Sequence, residues 1–304
     1  RYADAPGELR RKSDGARVER LAGEVDSIGT MSEDIPFFVI GYADAPRELR
    51  RKRDGTLVEQ LAGTVDSLDT VSEDAPLFVI RYTDAPGELR RKSDGALVEQ
   101  LAGTVYNIET ISEDIPFFLV SYVDVPGELR RKSDGSLVER LTAKVRDVYT
   151  VSVDIPFFLV SYDDAPGELR RKSDGTLVEQ LAGDFLGGYR VSEDSSFFVV
   201  DYADAPGELR RKSDGALLDH LAAIGSQIDI LSEDIPLFLV RYTAAPEELR
   251  RKTDGALAAT LKGGGIAGPS IDTVSKDVPF FAVSYDEGEH TSRELRRKSD
   301  GALV

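Results

Sequence analysis

The stretch Glu128-Leu-Arg-Arg-Lys-Ser-Asp-Gly135 decides the architecture, because the chain carries eight copies of this motif with one variable position before the aspartate. The copies start 40 residues apart six times and then 46 residues apart, at Glu8, Glu48, Glu88, Glu128, Glu168, Glu208, Glu248 and Glu294. A constant period in this range is typical of proteins built from one repeated supersecondary unit. The sequence therefore predicts a repeat protein, and a residue present in every copy is explained first by the needs of that unit.

One repeat predicts four short β-strands joined by tight connections. In the second full repeat they are strand a (Ser67–Asp74), strand b (Pro76–Asp84), strand c (Glu88–Ser93) and strand d (Ala96–Leu101). Asp94-Gly95 lies between c and d, and this dipeptide is a strong hairpin signal. Four strands of about six residues and four short connections fill about 40 residues.

Strand b is apolar throughout, so we expect it to be buried on both faces. A single four-stranded sheet cannot bury both faces, whereas twisted sheets stacked around an axis can. The predicted fold class is all-β: a seven-bladed β-propeller of four-stranded antiparallel blades, in a single domain over residues 1–304. Phe117 and Phe118 should then be buried between blades. The alternative is a linear solenoid, since strand d, as in Leu57–Ala62, also reads as a helical turn.

The number of strands predicts how the last blade is completed. Strands a and b each occur seven times, whereas strand c occurs eight times. We expect the N-terminal strands, with Arg17–Leu21 as the outer one, to close the ring in the seventh blade. Glu294–Ser299 is then a surplus strand that overhangs or pairs with another molecule, because unpaired strand edges promote association.

The composition excludes several classes of partner. With 55 acidic and 38 basic residues the net charge is −17, which repels phosphate backbones and anionic membrane surfaces. We therefore expect neither nucleic acid nor a membrane as partner. The absence of cysteine excludes disulfides, thiolate metal sites and a cysteine nucleophile. The chain begins inside a repeat at Arg1, which suggests a processed, trimmed or engineered start.

Aromatic residues outside the repeat pattern indicate a candidate binding site. Eight of 11 tyrosines and twelve of 13 phenylalanines occupy repeat positions, and the four exceptions lie between strand d and the end of strand a in three consecutive blades. With nearby basic residues they give the candidate partner-binding set Tyr106, Lys144, Arg146, Tyr149, Phe185, Tyr189 and Arg190. Tyrosine and arginine are frequent interface anchors. The alternative is drift in duplicated repeats, where a loop position accepts any soluble residue.

Other motifs have simpler structural explanations. The Arg-Arg-Lys triplets, such as Arg50-Arg51-Lys52, are flanked by acids and fit cross-strand pairing better than polyanion binding. An aspartate before glycine fits a turn better than a calcium ligand. His290 lies among Asp286, Glu287 and Glu289, which offers oxygen ligands and an imidazole to a metal. With two histidines and no phosphate-binding glycine loop, we expect no catalysis, no metal and no cofactor.

Two segments resemble a known family of repeats. Thr110–Asp124 and Gly127–Thr142 are similar to the repeat of TolB-like propellers, with an apolar strand, a short loop, Asp-Gly and a closing Leu-Thr. Tyr82-Thr-Asp-Ala is similar to the end of strand b in YWTD-type propeller repeats. The resemblance implies the blade topology, with strand a innermost and strand d outermost.

Three functional hypotheses remain open at this point. The first is a non-enzymatic binding scaffold that engages a protein or peptide through its d–a and b–c loops. Both insertions of the 46-residue unit, 263–268 and 287–292, fall in such loops. The second is a multivalent glycan-binding propeller with one equivalent pocket in each blade. The third is a recently amplified or engineered repeat array without a ligand.

Overall fold

The computed structural model describes residues 7–29, 33–183, 185–190, 195–223, 227–242, 245–262, 269–273, 277–286 and 291–304. Among these residues all regular secondary structure is β-strand. The chain divides into two compact units, Arg1–Arg146 and Asp147–Val304, and the boundary falls within one strand. The single domain over residues 1–304 stays a prediction.

The first unit contains a two-stranded sheet followed by three four-stranded sheets. Its strands are β1 (Glu8–Arg10), β2 (Arg17–Arg20), β3 (Val25–Gly29), β4 (Phe37–Tyr42), β5 (Glu48–Arg51), β6 (Leu57–Gln60), β7 (Val65–Thr70), β8 (Leu77–Tyr82), β9 (Glu88–Arg91), β10 (Leu97–Gln100), β11 (Val105–Thr110), β12 (Phe117–Tyr122), β13 (Glu128–Arg131) and β14 (Leu137–Arg140).

The second unit contains three four-stranded sheets followed by a three-stranded sheet. Its strands are β15 (Val145–Thr150), β16 (Phe157–Tyr162), β17 (Glu168–Arg171), β18 (Leu177–Gln180), β19 (Phe185–Arg190), β20 (Phe197–Tyr202), β21 (Glu208–Arg211), β22 (Leu217–His220), β23 (Gln227–Ile230), β24 (Leu237–Arg241), β25 (Glu248–Arg251), β26 (Leu257–Thr260), β27 (Ser270–Thr273), β28 (Phe280–Asp286) and β29 (Thr291–Arg297).

Each four-stranded sheet is an antiparallel meander in the order a, b, c, d, as in β7, β8, β9 and β10. The fold class is therefore the predicted one, all-β with propeller-type blades of about 40 residues. Strand a is displaced from its predicted position, since β7 begins at Val65 and ends at Thr70. The reason is local: Ser72 turns the chain early, with its Oγ accepting the amide N–H of Ala75 at 3.2 Å. Strand b matches its prediction, and all six residues of β12 are buried.

The turn between strands c and d has the same geometry in every blade that carries it. The backbone N–H of Gly95 bonds the carbonyl of Arg91 at 2.9 Å, and Asp94 Oδ1 accepts the N–H of Ala96 at 3.1 Å. Gly95 has φ of +80°, a left-handed conformation that only glycine adopts without strain. The predicted Asp-Gly hairpin is confirmed, and its loop covers residues 92–96 between β9 and β10.

Phenylalanines of successive b strands fill the space between blades. The rings of Phe37 and Phe78 stack with centroids 5.4 Å apart, and Phe157 and Phe198 repeat the contact at 6.1 Å. Phe117 and Phe118 are fully buried, as predicted. Each such side chain stabilises the fold by about 1.5–3 kcal/mol of hydrophobic transfer.

A buried polar network also links neighbouring blades within each unit. In the fifth blade Tyr202 donates to Glu208 Oε2 at 2.8 Å, and Arg210 Nε donates to the same oxygen at 2.7 Å. Arg210 Nη1 reaches Glu179 on strand d of the preceding blade at 2.6 Å and the carbonyl of Gly215 at 3.0 Å. The guanidinium is 1% exposed, so these bonds compensate a charge that burial would otherwise make very costly.

The prediction for the last blade was wrong in its assignment of the surplus strand. β28 pairs with β29 over seven residues, so Glu294–Arg297 occupies the place of strand c. β1 and β2 instead form a sheet of their own. β29 takes this place, and β1 does not, because β29 follows β28 in the chain after a short connection. Short connections between neighbouring strands cost little loop-closure entropy. Closure of a ring by the N-terminal strands stays a prediction.

Candidate functional site

Tyr106 of the candidate set lies on a β-bulge. Strand a of the third blade pairs Val105 with Tyr122 and Asn107 with Ser121, so Tyr106 is the extra residue between them. The side chain of Tyr106 is exposed, at 65%. Strand a of the first and second blades has a bulge at the same place, occupied by Asp26 and Asp66. A bulge re-aims a side chain away from the sheet pattern, and here it presents a different residue in the third blade.

Arg81 holds the backbone of this bulge in place. Its guanidinium donates to the carbonyl oxygen of Tyr106 and to Ser67 Oγ, the latter at 2.6 Å. The same group forms ion pairs with Asp69 at 2.8 Å and Asp66 at 3.2 Å. The backbone of Tyr106 is therefore held by Arg81, which lies on strand b of the preceding blade.

The other candidate residues lie in different environments. Lys144 is half-buried just before β15, and Arg146 is exposed on β15, one repeat after Tyr106. Tyr149, in the second unit, packs partly buried against the core cluster that contains Phe157, and its hydroxyl lies 3.3 Å from Asp147 Oδ2. The side chains of Phe185, Tyr189 and Arg190 lie outside the described part of the chain, although their backbone forms β19. Residues 263–268 and 287–290, with His290, also lie outside it.

Sequence reasoning missed a second polar cluster of the same kind. Arg241 is the counterpart of Arg81 four repeats later, and it pairs with Asp229 and, at 3.3 Å, with Glu247. Glu247 replaces the glycine found at this position in five other repeats, and it is 1% exposed. Burial raises the pKa of its carboxyl. The signal was available in the sequence, because arginine occurs at this place in strand b in only these two repeats.

The basic triplets are structural, as predicted. From the second copy onward, the first arginine of each triplet is buried and the second is exposed. Arg211, an exposed member, pairs with Asp214 of the same turn at 2.9 Å. The lysine joins the turn between strands a and b, as Lys132 Nζ does at Ser112 O, 2.6 Å away.

The described part of the chain contains neither a metal-binding cluster nor a membrane-spanning helix. Within those ranges no group of three or more histidine, cysteine, aspartate or glutamate side chains is placed to hold a metal ion. The described residues include no helix able to span a bilayer.

Equivalent grooves lie beside the a–b turns in both units. A groove of about 560 Å³ in the first unit is lined by Asp74, Pro76 and Lys132, among others. A groove of about 660 Å³ in the second unit is lined by Asp154, Pro156 and Lys212, which are the same positions two repeats later. Lys212 Nζ lies 3.0 Å from Asp154 Oδ2, and hydrogen bonds from Ser152 and this ammonium lower the pKa of Asp154 to about 2. The repeat thus reproduces a polar groove as well as a core.

No protein-family model matches the chain, and no curated protein matches it. Among solved structures, the WD40 beta propeller domain of Doa1 is 16% identical, with 90% of this chain and 93% of that chain covered and a TM-score of 0.32. BamB from Moraxella catarrhalis is 10% identical, with 92% and 89% covered and a TM-score of 0.34. The computationally designed Ika8 protein is 13% identical, with 93% and 86% covered and a TM-score of 0.34. Similarities this distant do not identify a function, which has to come from the chain's own residues.

Proposed function

We propose that this chain is a non-enzymatic binding scaffold for a protein or peptide, with Tyr106 as its anchor in the first unit. The observation that carries the proposal is the exposed ring of Tyr106 on a bulge that Arg81 fixes. Lys144 and Arg146 are the further proposed contact residues of the first unit. The second unit has proposed contact residues of its own, which are Tyr149, Phe185, Tyr189 and Arg190. The proposal includes a relationship between these repeats and those of TolB-like or YWTD-type propellers.

A fixed backbone beneath an exposed ring favours binding for a simple reason. Fixing the backbone of one residue costs about 1–2 kcal/mol, and at Tyr106 the hydrogen bond from Arg81 already holds the backbone before a partner binds. The ring offers a large contact area with few rotatable bonds, and the exposed Arg146 adds a positive charge to the proposed surface. An aromatic and basic surface on a chain of net charge −17 would select acidic or neutral segments.

A peptide-display selection against the whole chain tests this proposal. Ligands that it yields should lose at least about tenfold in affinity on Tyr106→Ala and on Arg146→Ala, as interface anchors do. Matched controls are Leu137→Ala and Arg140→Ala, which remove a 41% exposed apolar side chain and a 71% exposed arginine from an outer strand. Equal losses in the control variants would contradict a site at strand a.

The repeated grooves support glycan binding as a second candidate. Asp74 and Lys132 offer an acceptor and a donor beside Pro76, and Asp154 and Lys212 repeat the arrangement. Titration calorimetry with neutral and amino sugars separates the two candidates. About seven equivalent ligands per chain would support the lectin, since one pocket per blade gives that stoichiometry, whereas no sugar binding leaves the peptide scaffold.

A further inference from the structure

Strand β1 has one open edge. It pairs with β2 on one side, and no described strand pairs with it on the other. The equivalent strand of the next blade, β5, lies between β4 and β6. The consequence is visible in the side chains: Arg10 is 58% exposed, whereas Arg50 is 1% exposed.

The β1–β2 hairpin nevertheless docks on the first blade as a full blade does. Arg50 Nη1 lies 2.7 Å from Glu19 Oε2 on β2, the same distance as between Arg90 and Glu59 one repeat later. The hairpin therefore stands in the position of strands c and d of a preceding blade. Beside it lies an open groove of about 400 Å³.

The wall of this groove fits an aromatic side chain. Phe78 and Phe198 each pack against the first phenylalanine of strand b in the preceding blade, and both are fully buried. Phe38 occupies the same position in the first blade and lines the groove. No strand b precedes the first blade in the described part of the chain, so the place of the stacking ring is open, and Phe38 retains 9% exposure.

The basic rim of the groove fits acidic residues. Lysines at the position of Lys12 normally meet the turn before strand b: Lys172 bonds Ser152 O at 2.8 Å and Lys212 pairs with Asp154. Lys12 is exposed. Arg53 adds a cation here, at a position that is serine or threonine in every other repeat.

We propose that the open edge of β1 binds an extended peptide segment of a partner protein by strand addition, with an acidic turn, a proline and an aromatic residue at its start. The segment would pair with β1 as β4 pairs with β5, place its aromatic ring against Phe38, and place its acidic turn against Lys12 and Arg53. Main-chain hydrogen bonds supply affinity in this mode of recognition, and alternate side chains supply specificity. This site is separate from the one proposed at Tyr106.

A synthetic peptide with the sequence of residues 112–122 is the probe, because this segment forms the acidic turn and strand b of the third blade. Fluorescence anisotropy should show saturable binding of one labelled peptide to the whole chain. Hydrogen exchange should show new protection of the β1 amides when the peptide is bound. The peptide with Glu113→Lys and Asp114→Lys, or with Phe117→Ser, should bind at least about tenfold more weakly.

Variants of the protein then locate the site. Arg53→Ser restores the residue of the other repeats and Lys12→Ser changes an exposed side chain, so both should fold, and together they should weaken the peptide at least about tenfold. Arg211→Ser is the control, and it should leave binding unchanged. Binding without protection of β1, or binding indifferent to Lys12 and Arg53, would overturn the proposal. A concentration-dependent dimer that protects β1 without peptide would overturn it in favour of a second copy.

Discussion

Arg210 and Arg211 are adjacent in one motif, yet they have opposite roles. Strand alternation turns Arg210 into the space between blades, where it is 1% exposed, and turns Arg211 outward, where it is 47% exposed. The alternation was predictable from the sequence. The partner of Arg210 was not, because Glu179 lies 31 residues earlier on another sheet and no local pattern indicates the pairing.

Arg210→Met should be strongly destabilising, because it leaves the buried carboxylate of Glu208 without the cation that compensates its charge. Removing one member of such a buried pair typically costs about 3–5 kcal/mol. Arg211→Met is the matched control, and an exposed ion pair of this kind contributes about 0–1 kcal/mol. Urea unfolding of both variants checks the difference, and similar midpoints would contradict the buried network.

The tyrosines at the end of strand b predict a loss of stability in alkali. Burial and the hydrogen bond to a glutamate raise the pKa of Tyr122, Tyr162 and Tyr202. Because the folded value lies above the unfolded one, the neutral phenols stabilise the fold fully below about pH 10, and this contribution falls as the pH rises further. An ultraviolet titration should show these phenols ionising together with unfolding. Ionisation in a folded chain at the pH of free tyrosine would contradict the assignment.

At the level of the strand, the repeat pattern predicts the position and burial of strand b but does not predict the β-bulge in strand a. Leu77–Tyr82 reads as a buried strand because it is short, apolar and starts after proline. The segment Val65-Asp-Ser-Leu68 reads as simple alternation, but after the bulge at Asp66 both Ser67 and Leu68 are buried. A bulge depends on the register with strand b, which a single strand does not encode. The aromatic count singled out Tyr106 because it departs from the repeat, and its side chain is exposed. Its role in binding stays a prediction.

Two glycine substitutions separate backbone strain from packing in the c–d turn. Gly15 has φ of +69° and open space where the Cβ of an alanine would lie, so Gly15→Ala should cost only the strain of a left-handed residue, about 1–2 kcal/mol. Gly135 has φ of +79°, and a Cβ added there would collide with Leu89. Gly135→Ala should therefore cost clearly more in chemical denaturation. Equal costs would mean that Leu89 moves aside freely.

At the level of the whole chain, the period predicted the architecture of the blades and left the ends ambiguous. Eight c strands for seven a–b pairs admit two arrangements, and nothing in the motif distinguishes Glu8 from Glu294. The structure selects β29 as the partner of β28 because the two are joined by a short connection. The contribution of each chain end to stability is therefore inferred from its strand pairing and not from the number of repeats.

Deleting residues 294–304 should lower the melting temperature, because it removes the C-terminal four residues of β29, which pair with β28, together with the buried Arg296 and Lys298. Deleting only residues 302–304 is the control, since these residues add a single bridge between Arg296 and Leu303. Calorimetry of the two truncated chains checks the prediction. An unchanged transition after the longer deletion would show that β29 is dispensable, as the strand count alone suggested.

The fixed spacing between each buried arginine and its glutamate has a consequence for the gene. Arg130 lies 31 residues after Glu99, and Arg90 lies 31 residues after Glu59. If unequal crossing-over removed the codons for residues 60–99, Arg130 would follow Glu59 at the same spacing and would inherit it as a partner. The number of repeats can therefore change by whole repeats while every buried arginine keeps an acidic partner, because each repeat contacts only its neighbours. Alleles of this gene should differ by multiples of one repeat more readily than by single-codon insertions.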